Sequence, residues 1–317
     1  MTVTAGARAC LPPGDVSAPV RTSLHRLSAG TTEWLTRNLE FFSPYADIPR
    51  PSRQRRVKAA LELALLCHCA ARRNPADNRL SGAAALLEML WQRPDFLDLL
   101  AVPDPHYGRQ YRLIYAALAP RGSSAELRTA ALAPLAEQGQ LPTPGQSAYL
   151  RAETRYYADK AGAAHGIESY EKLLAHSLLV DQPAELPITD QDIYALTHTS
   201  FYISDFGFRD PPLPTCSREK AERFVSHLIT QCVTKGNWDL TAELVIAQFC
   251  LGGDPLNSSS GVAGITSLAD AQAANGAIPG RSAARRAGDS ATAAIRFQQE
   301  YHTTLVAALM SAIVSPT

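Results

Sequence analysis

The chain lacks most of the features that name a function quickly. Neither sign of charge is in excess: 30 Lys and Arg stand against 30 Asp and Glu, for a formal net charge of +0. Nucleic-acid binders carry a basic surplus, so no nucleic-acid partner is expected. No segment reaches the roughly 18 consecutive apolar residues of a membrane span. The longest candidate, "LVAALMSAIV" near the C-terminus, falls well short, so no membrane partner is expected either. The first twenty residues hold Pro, Gly and Asp where a signal peptide needs an unbroken apolar core. The 6 cysteines include no CxxC pair. That usage fits buried thiols rather than disulfides, and a cytoplasmic location. Neither GxGxxG nor GxxxxGK[ST] occurs, so no nucleotide cofactor is expected. Strand signals are nearly missing as well, because no stretch alternates apolar and polar residues for long.

What remains is helix. Hydrophobic residues make up 46% of the chain, enough for a large core, and they recur at helical spacing almost throughout. Residues 1–20 read as a flexible leader and 21–317 as a single helical domain. Within that domain, about 253–287 turns to Gly, Ser, Ala and Asn and reads as a flexible insertion, either disordered or a mobile flap with a short helix in it. Thr189 with Asp192 has the spacing of a capping box, and Gly207 fits the position just past a helix end. Gly236 and Asn237 close one helix and cap the next.

Aligning helix ends by their glycines exposes a repeat. "ETRYYADKAG" lies over "HTSFYISDFG", which lies over "ELVIAQFCLG", so Glu153, His198 and Glu243 take equivalent places. Two periods earlier the same slot falls near Glu62, and beyond the insertion it falls at His302. "LIYAALAPRG" fills the intervening slot with Leu113. "LTAELVIAQFCL" is apolar nearly all round, whereas "SREKAERFVSHLITQCVTK" keeps a polar face, which suits inner helices covered by outer ones. The expected fold is therefore all-α: stacked helical hairpins forming an α/α toroid or a curved α-solenoid.

In such a fold the inner helices aim polar residues at a shared hollow. His198 and Asp205 are seven residues apart, nearly two helical turns, and so are expected on one face with Tyr194 and Tyr202. His198, Asp205 and Glu243 are the candidate catalytic residues: an imidazole can move a proton near neutral pH, and a carboxylate fixes its tautomer. Asp205 sits near a helix end, unfavourably placed against the helix dipole, and Arg209 is its expected partner. Tyr194, Tyr202, Tyr157 and Glu153 are the candidate substrate-binding residues. His198, Glu243 and His302 form a candidate set of ligands for a divalent metal, although no HExxH pattern supports it. Cys67, His68 and Cys69 point about 100° apart on a helix and cannot converge on one ion.

"WLTRNLEFFSP", "THTSFYISDFG" and "YHTTLVAAL" together resemble an all-helical actinobacterial family associated with specialised-metabolite gene clusters. The resemblance covers most of the chain from Trp34 onwards. It implies a biosynthetic enzyme and transfers no catalytic residues. The expected function is thus an enzyme, of the lyase, cyclase or metal-dependent kind, binding a small molecule or peptide in a polar, aromatic-lined cavity. A homo-oligomer is compatible with this reading. The alternative is a non-catalytic helical-repeat binding module whose inner polar residues merely satisfy one another.

Overall fold

The structure is a computed structural model. It describes residues 18–47, 53–101, 105–137, 141, 145–182, 187–280 and 292–316. Regular structure among these is entirely helical. In chain order the helices are α1 (Ala18–Arg37), α2 (Leu39–Phe42), α3 (Arg53–Arg73), α4 (Ser81–Trp91), α5 (Phe96–Leu99), α6 (Pro105–Ala117) and α7 (Ala125–Glu137). There follow α8 (Ala148–Ala161), α9 (Tyr170–Leu174), α10 (Asp190–Ile203), α11 (Thr215–Lys235), α12 (Trp238–Cys250), α13 (Ser259–Ala271) and α14 (Ala293–Val314). No helix is long and apolar enough to cross a membrane.

The apolar pattern sorts these helices by depth. α12 is buried on nearly every side, from Leu240 to Gln248, because it carries almost no polar face to offer water. α10 packs on one flank of α12 and α14 on the other, with α11 and α13 outside. α14 also packs on α3, α10 on α8, α8 on α6, and α6 touches α3. α11 buries only the stripe holding Ala221, Val225, Leu228, Ile229 and Cys232.

Side-chain bonds fix the relative direction of these neighbours. Tyr194 bonds Asp239, and three residues further along α10 Thr197 bonds Glu243, so α10 and α12 run parallel. Tyr202 bonds Glu153 and, three residues on, Asp205 bonds Tyr156, which sets α8 parallel to α10 as well. Arg55 reaches Gln298, and Glu62 faces His302, giving the same sense to α3 and α14.

Aromatic packing and a backbone clamp lock the outer layer on. Phe297 stacks on Trp34 and Phe41 and meets Phe42 edge-on, tying α14 to α1 and α2. Trp91 and Tyr115 stack at 5.0 Å, and each donates its polar hydrogen to the other's backbone carbonyl at 2.9 Å. Both buried donors are thereby satisfied. The expected capping box is present: Asp192 N–H donates to Thr189 Oγ1, and Thr189 N–H to Asp192 Oδ2. Gly236 closes α11 in the left-handed conformation, but the Asn237 side chain makes no capping bond to α12.

Part of the stretch 253–280 is helical. Residues Ser259–Ala271 form α13, with Ile265 and Leu268 fully buried. Its small residues are an interface rather than a linker. A Cβ on Gly264 would stand 2.9 Å from Val245 and 3.3 Å from Ile229, so glycine lets α13 settle onto α11 and α12. The rest of that stretch, 281–287, lies outside the described residues. Of the leader, 1–17 also lie outside them, and Ala18–Val20 begin α1, with Val20 buried.

Candidate functional site

Residues from α3, α6, α8, α10, α12 and α14 line one cavity of about 510 Å³. The sequence repeat located its polar wall: Glu62, Glu153, His198, Glu243 and His302 all border it.

His198 on α10 faces Glu243 on α12, with Nε2 and Oε1 3.7 Å apart. That is too long for a hydrogen bond and close enough for strong electrostatic coupling. The second oxygen of Glu243 accepts a hydrogen bond from Thr197 Oγ1 at 2.6 Å, which fixes the carboxylate. Glu243 is only 3% exposed, whereas the His198 side chain keeps 31% of its surface accessible, the face open to the cavity. Burial pulls the His198 pKa down, but the Glu243 carboxylate outweighs it and Glu153 adds to the effect, so the net shift is upward from 6.5.

A second imidazole–carboxylate pair stands on α14 and α3. His302 Nδ1 lies 3.5 Å from Glu62 Oε1, and Lys58 Nζ lies 3.5 Å from the same oxygen. His302 is pulled down by burial and raised more strongly by Glu62. Burial favours the protonated form of Glu62, yet Lys58 and His302 together hold its pKa down at about 2. His302 Nδ1 and Glu62 Oε2 are both buried without a hydrogen bond.

Tyrosines make up much of the remaining wall. Tyr202 donates to Glu153 Oε1 at 2.9 Å, and Tyr194 donates to Asp239. Tyr157 meets the Tyr202 ring edge-on at 5.7 Å. Burial, reinforced by nearby carboxylates, raises the pKa of Tyr157, Tyr194 and Tyr202, which keeps the phenols neutral donors. The expected substrate-binding residues thus all border the hollow. Lining residues toward the helix N-termini are open to solvent, with Tyr107 53% exposed and the Lys58 side chain likewise 53%. At the other end Phe206 and Leu309 are buried.

Two expected members of the site fall elsewhere. Asp205 is not on the cavity wall and does not share a helical face with His198, because α10 ends at Ile203 and Asp205 turns left-handed at φ 50. Its partner is not Arg209, which donates to the Ile203 carbonyl. Instead Arg72 grips it bidentately at 2.9 and 2.8 Å, Lys160 lies 3.1 Å away, and Tyr156 donates at 2.8 Å. The carboxylate that the helix dipole disfavours is thereby satisfied by two cations from α3 and α8. His198, Glu243 and His302 do not form a metal centre. They belong to two separate pairs, and among the described residues no group of three or more His, Cys, Asp or Glu could hold a metal ion.

Other site residues escaped the sequence reading. Thr197 anchors Glu243, and Tyr149 sets its ring edge-on to His198 at 6.3 Å while accepting from Gln191 at 3.0 Å. On α6 the repeat pointed to Leu113, which is buried away from the cavity; Tyr107, Gln110, Tyr111 and Ile114 line it. Their i, i+3, i+4, i+7 spacing is a helical stripe and was the available signal. Cys67, Cys69, Cys216, Cys232 and Cys250 are free, and burial pushes the Cys67 thiol up to about 12.

No curated protein and no solved structure shows significant similarity to this chain. A family model does match: Domain of unknown function (DUF6895), over residues 28–312. Those residues span all but the ends of the chain and contain the whole cavity wall, so the protein belongs to the DUF6895 family.

Proposed function

We propose that the six inner helices form an α/α toroid and that its central cavity is the active centre of a biosynthetic enzyme. The substrate is a small molecule or peptide, and the chemistry is proton transfer of the lyase or cyclase type. The observation that carries this reading is the presentation of two imidazole–carboxylate pairs, His198–Glu243 and His302–Glu62, into a single hollow. Proton transfer needs one group that takes a proton and another that gives one, both within reach of the bound molecule. The carboxylate beside each ring raises its basicity, and the open face of His198 leaves it accessible to a ligand. Buried charges cost folding energy, and a protein that needed only a stable core would fill this space with apolar side chains.

Similarity of the quoted motifs to an actinobacterial family of specialised-metabolite clusters supports a biosynthetic role. Free cysteines throughout the described residues support a cytoplasmic setting. The test is production of the metabolite of the neighbouring genes in a strain carrying His198→Asn. Loss of product by about 10²- to 10⁴-fold, with the melting temperature of the purified variant unchanged, is expected. Full product formation by a folded variant overturns the catalytic role and leaves the non-catalytic binding module.

A further inference from the structure

We propose that the cavity takes a ligand bearing a protonated amine and that Glu153 is its counter-ion. The proposal rests on the reading of this cavity as a small-molecule site and names the class of molecule. Among the charged carboxylates of the wall, Glu62 has Lys58 and His302 and Glu243 has His198. Among the described residues Glu153 is bonded only by the neutral phenol of Tyr202, and no basic side chain lies within ion-pair distance of it. A carboxylate offers about four acceptor positions, and one neutral donor leaves most of its charge unmatched once bulk water is displaced. An ammonium group supplies both the charge and up to three donors.

The rings around Glu153 favour the same ligand. Tyr149 and Tyr157 stand one helical turn before and after it on α8, and Tyr202 faces it from α10. Aromatic faces attract cations, most strongly where water is excluded. Ligands of other charge fit worse. An anion would enter among Glu62, Glu153 and Glu243, with Lys58 already engaged, and an uncharged molecule would desolvate Glu153 without compensation. Gln110 adds a second point of recognition: it is 5% exposed, borders the cavity, and its side-chain nitrogen has no partner. It can donate to an acceptor such as a carbonyl elsewhere on the ligand. Tyr202, which donates to Glu153, also sets its ring edge-on to His198 at 6.0 Å, so an amine held at Glu153 shares a stretch of wall with the His198–Glu243 pair.

Isothermal titration calorimetry of the full chain with three probes tests this: 2-phenylethylammonium, 2-phenylethanol and 3-phenylpropanoate. The ammonium probe is expected to bind about tenfold or more tightly than the other two, and Glu153→Gln to remove that preference. Equal or tighter binding of the alcohol or the acid overturns the amine assignment while leaving the cavity a ligand site. Binding of none of the three at millimolar concentration overturns it too, and the His198→Asn product assay then judges the enzymatic reading separately. Should Glu153→Gln fail to fold, the ranking of the three probes on the unaltered protein decides alone.

Discussion

A single carboxylate decides how His198 behaves. Burial alone would leave the ring neutral, and Glu243 at 3.7 Å reverses that. Histidine-selective NMR titration is expected to place His198 and His302 above 6.5, and Glu243→Gln to drop His198 below it while moving His302 much less. The stability consequence follows from linkage. A histidine whose folded pKa is raised contributes fully below its unfolded value of 6.5, and that contribution fades as pH climbs through the folded pKa. Glu62 works in the opposite sense: held at about 2 against 4.5, it contributes above 4.5 and loses this as pH falls toward 2. His68 is pushed down to about 4 by burial, then by Lys160 and Arg72, so it contributes above 6.5 and loses this on acidification. Melting of Glu243→Gln should accordingly fall further below that of the native chain at about pH 6 than at about pH 9. An equal deficit at both would show that Glu243 acts through packing alone.

The turn after α10 shows how an element is finished by distant residues. Asp205 and Phe206 are non-glycine residues at φ 50 and 57, and Gly207 follows at φ 82. Such a run is costly on its own and persists because Arg72, Lys160 and Tyr156 hold Asp205 while Phe206 is buried against the cavity end. A Cβ on Gly207 would meet the Phe249 ring at 2.6 Å, so glycine is needed there for space as well as for φ. Asp205→Asn leaves two cations poorly compensated and should cost about 3 kcal/mol in denaturant unfolding. A loss near zero would mean the turn is set by Phe206 and Gly207 alone. Leu268→Ala in α13 should cost about 3 kcal/mol as well, since this helix is core and not linker. These two elements also mark where the sequence was legible. A 3.6-residue apolar period revealed α12 and its neighbours, and glycine-aligned ends put Glu153, His198 and Glu243 in register. The period could not reveal that Gly264 marks close approach rather than looseness, because composition is silent about what lies opposite. Nor could it show that Asp205 leaves the helix, since its partners are 133 and 45 positions away in sequence, as Arg72 and Lys160.

Cohesion is uneven across the whole molecule. α12 is enclosed by α10, α11, α13 and α14, whereas among the described residues α7 leans chiefly on α6 and the short α5. The α3–α6 seam is thinner than the other seams between inner helices, with the Trp91–Tyr115 clamp bracing α6 from outside. Hydrogen exchange should therefore protect α12 and α14 up to global unfolding, while α7 opens at lower free energy. Uniform protection across all helices would contradict this gradient. The gathering of five repeat-related residues on one wall was readable because the period is long-range information carried locally by each helix. The pairing of those residues was not, because it depends on which helices become neighbours.

The burial of Phe206 and Leu309 at one end, with Tyr107 and Lys58 open at the other, turns the mouth of the hollow, among the described residues, toward the Tyr107 and Lys58 end. A ligand that enters by that mouth leaves by it as well. In the enzyme proposed above, departing product and arriving reactant would therefore contend for one passage, and accumulated product would slow the reaction by occupancy.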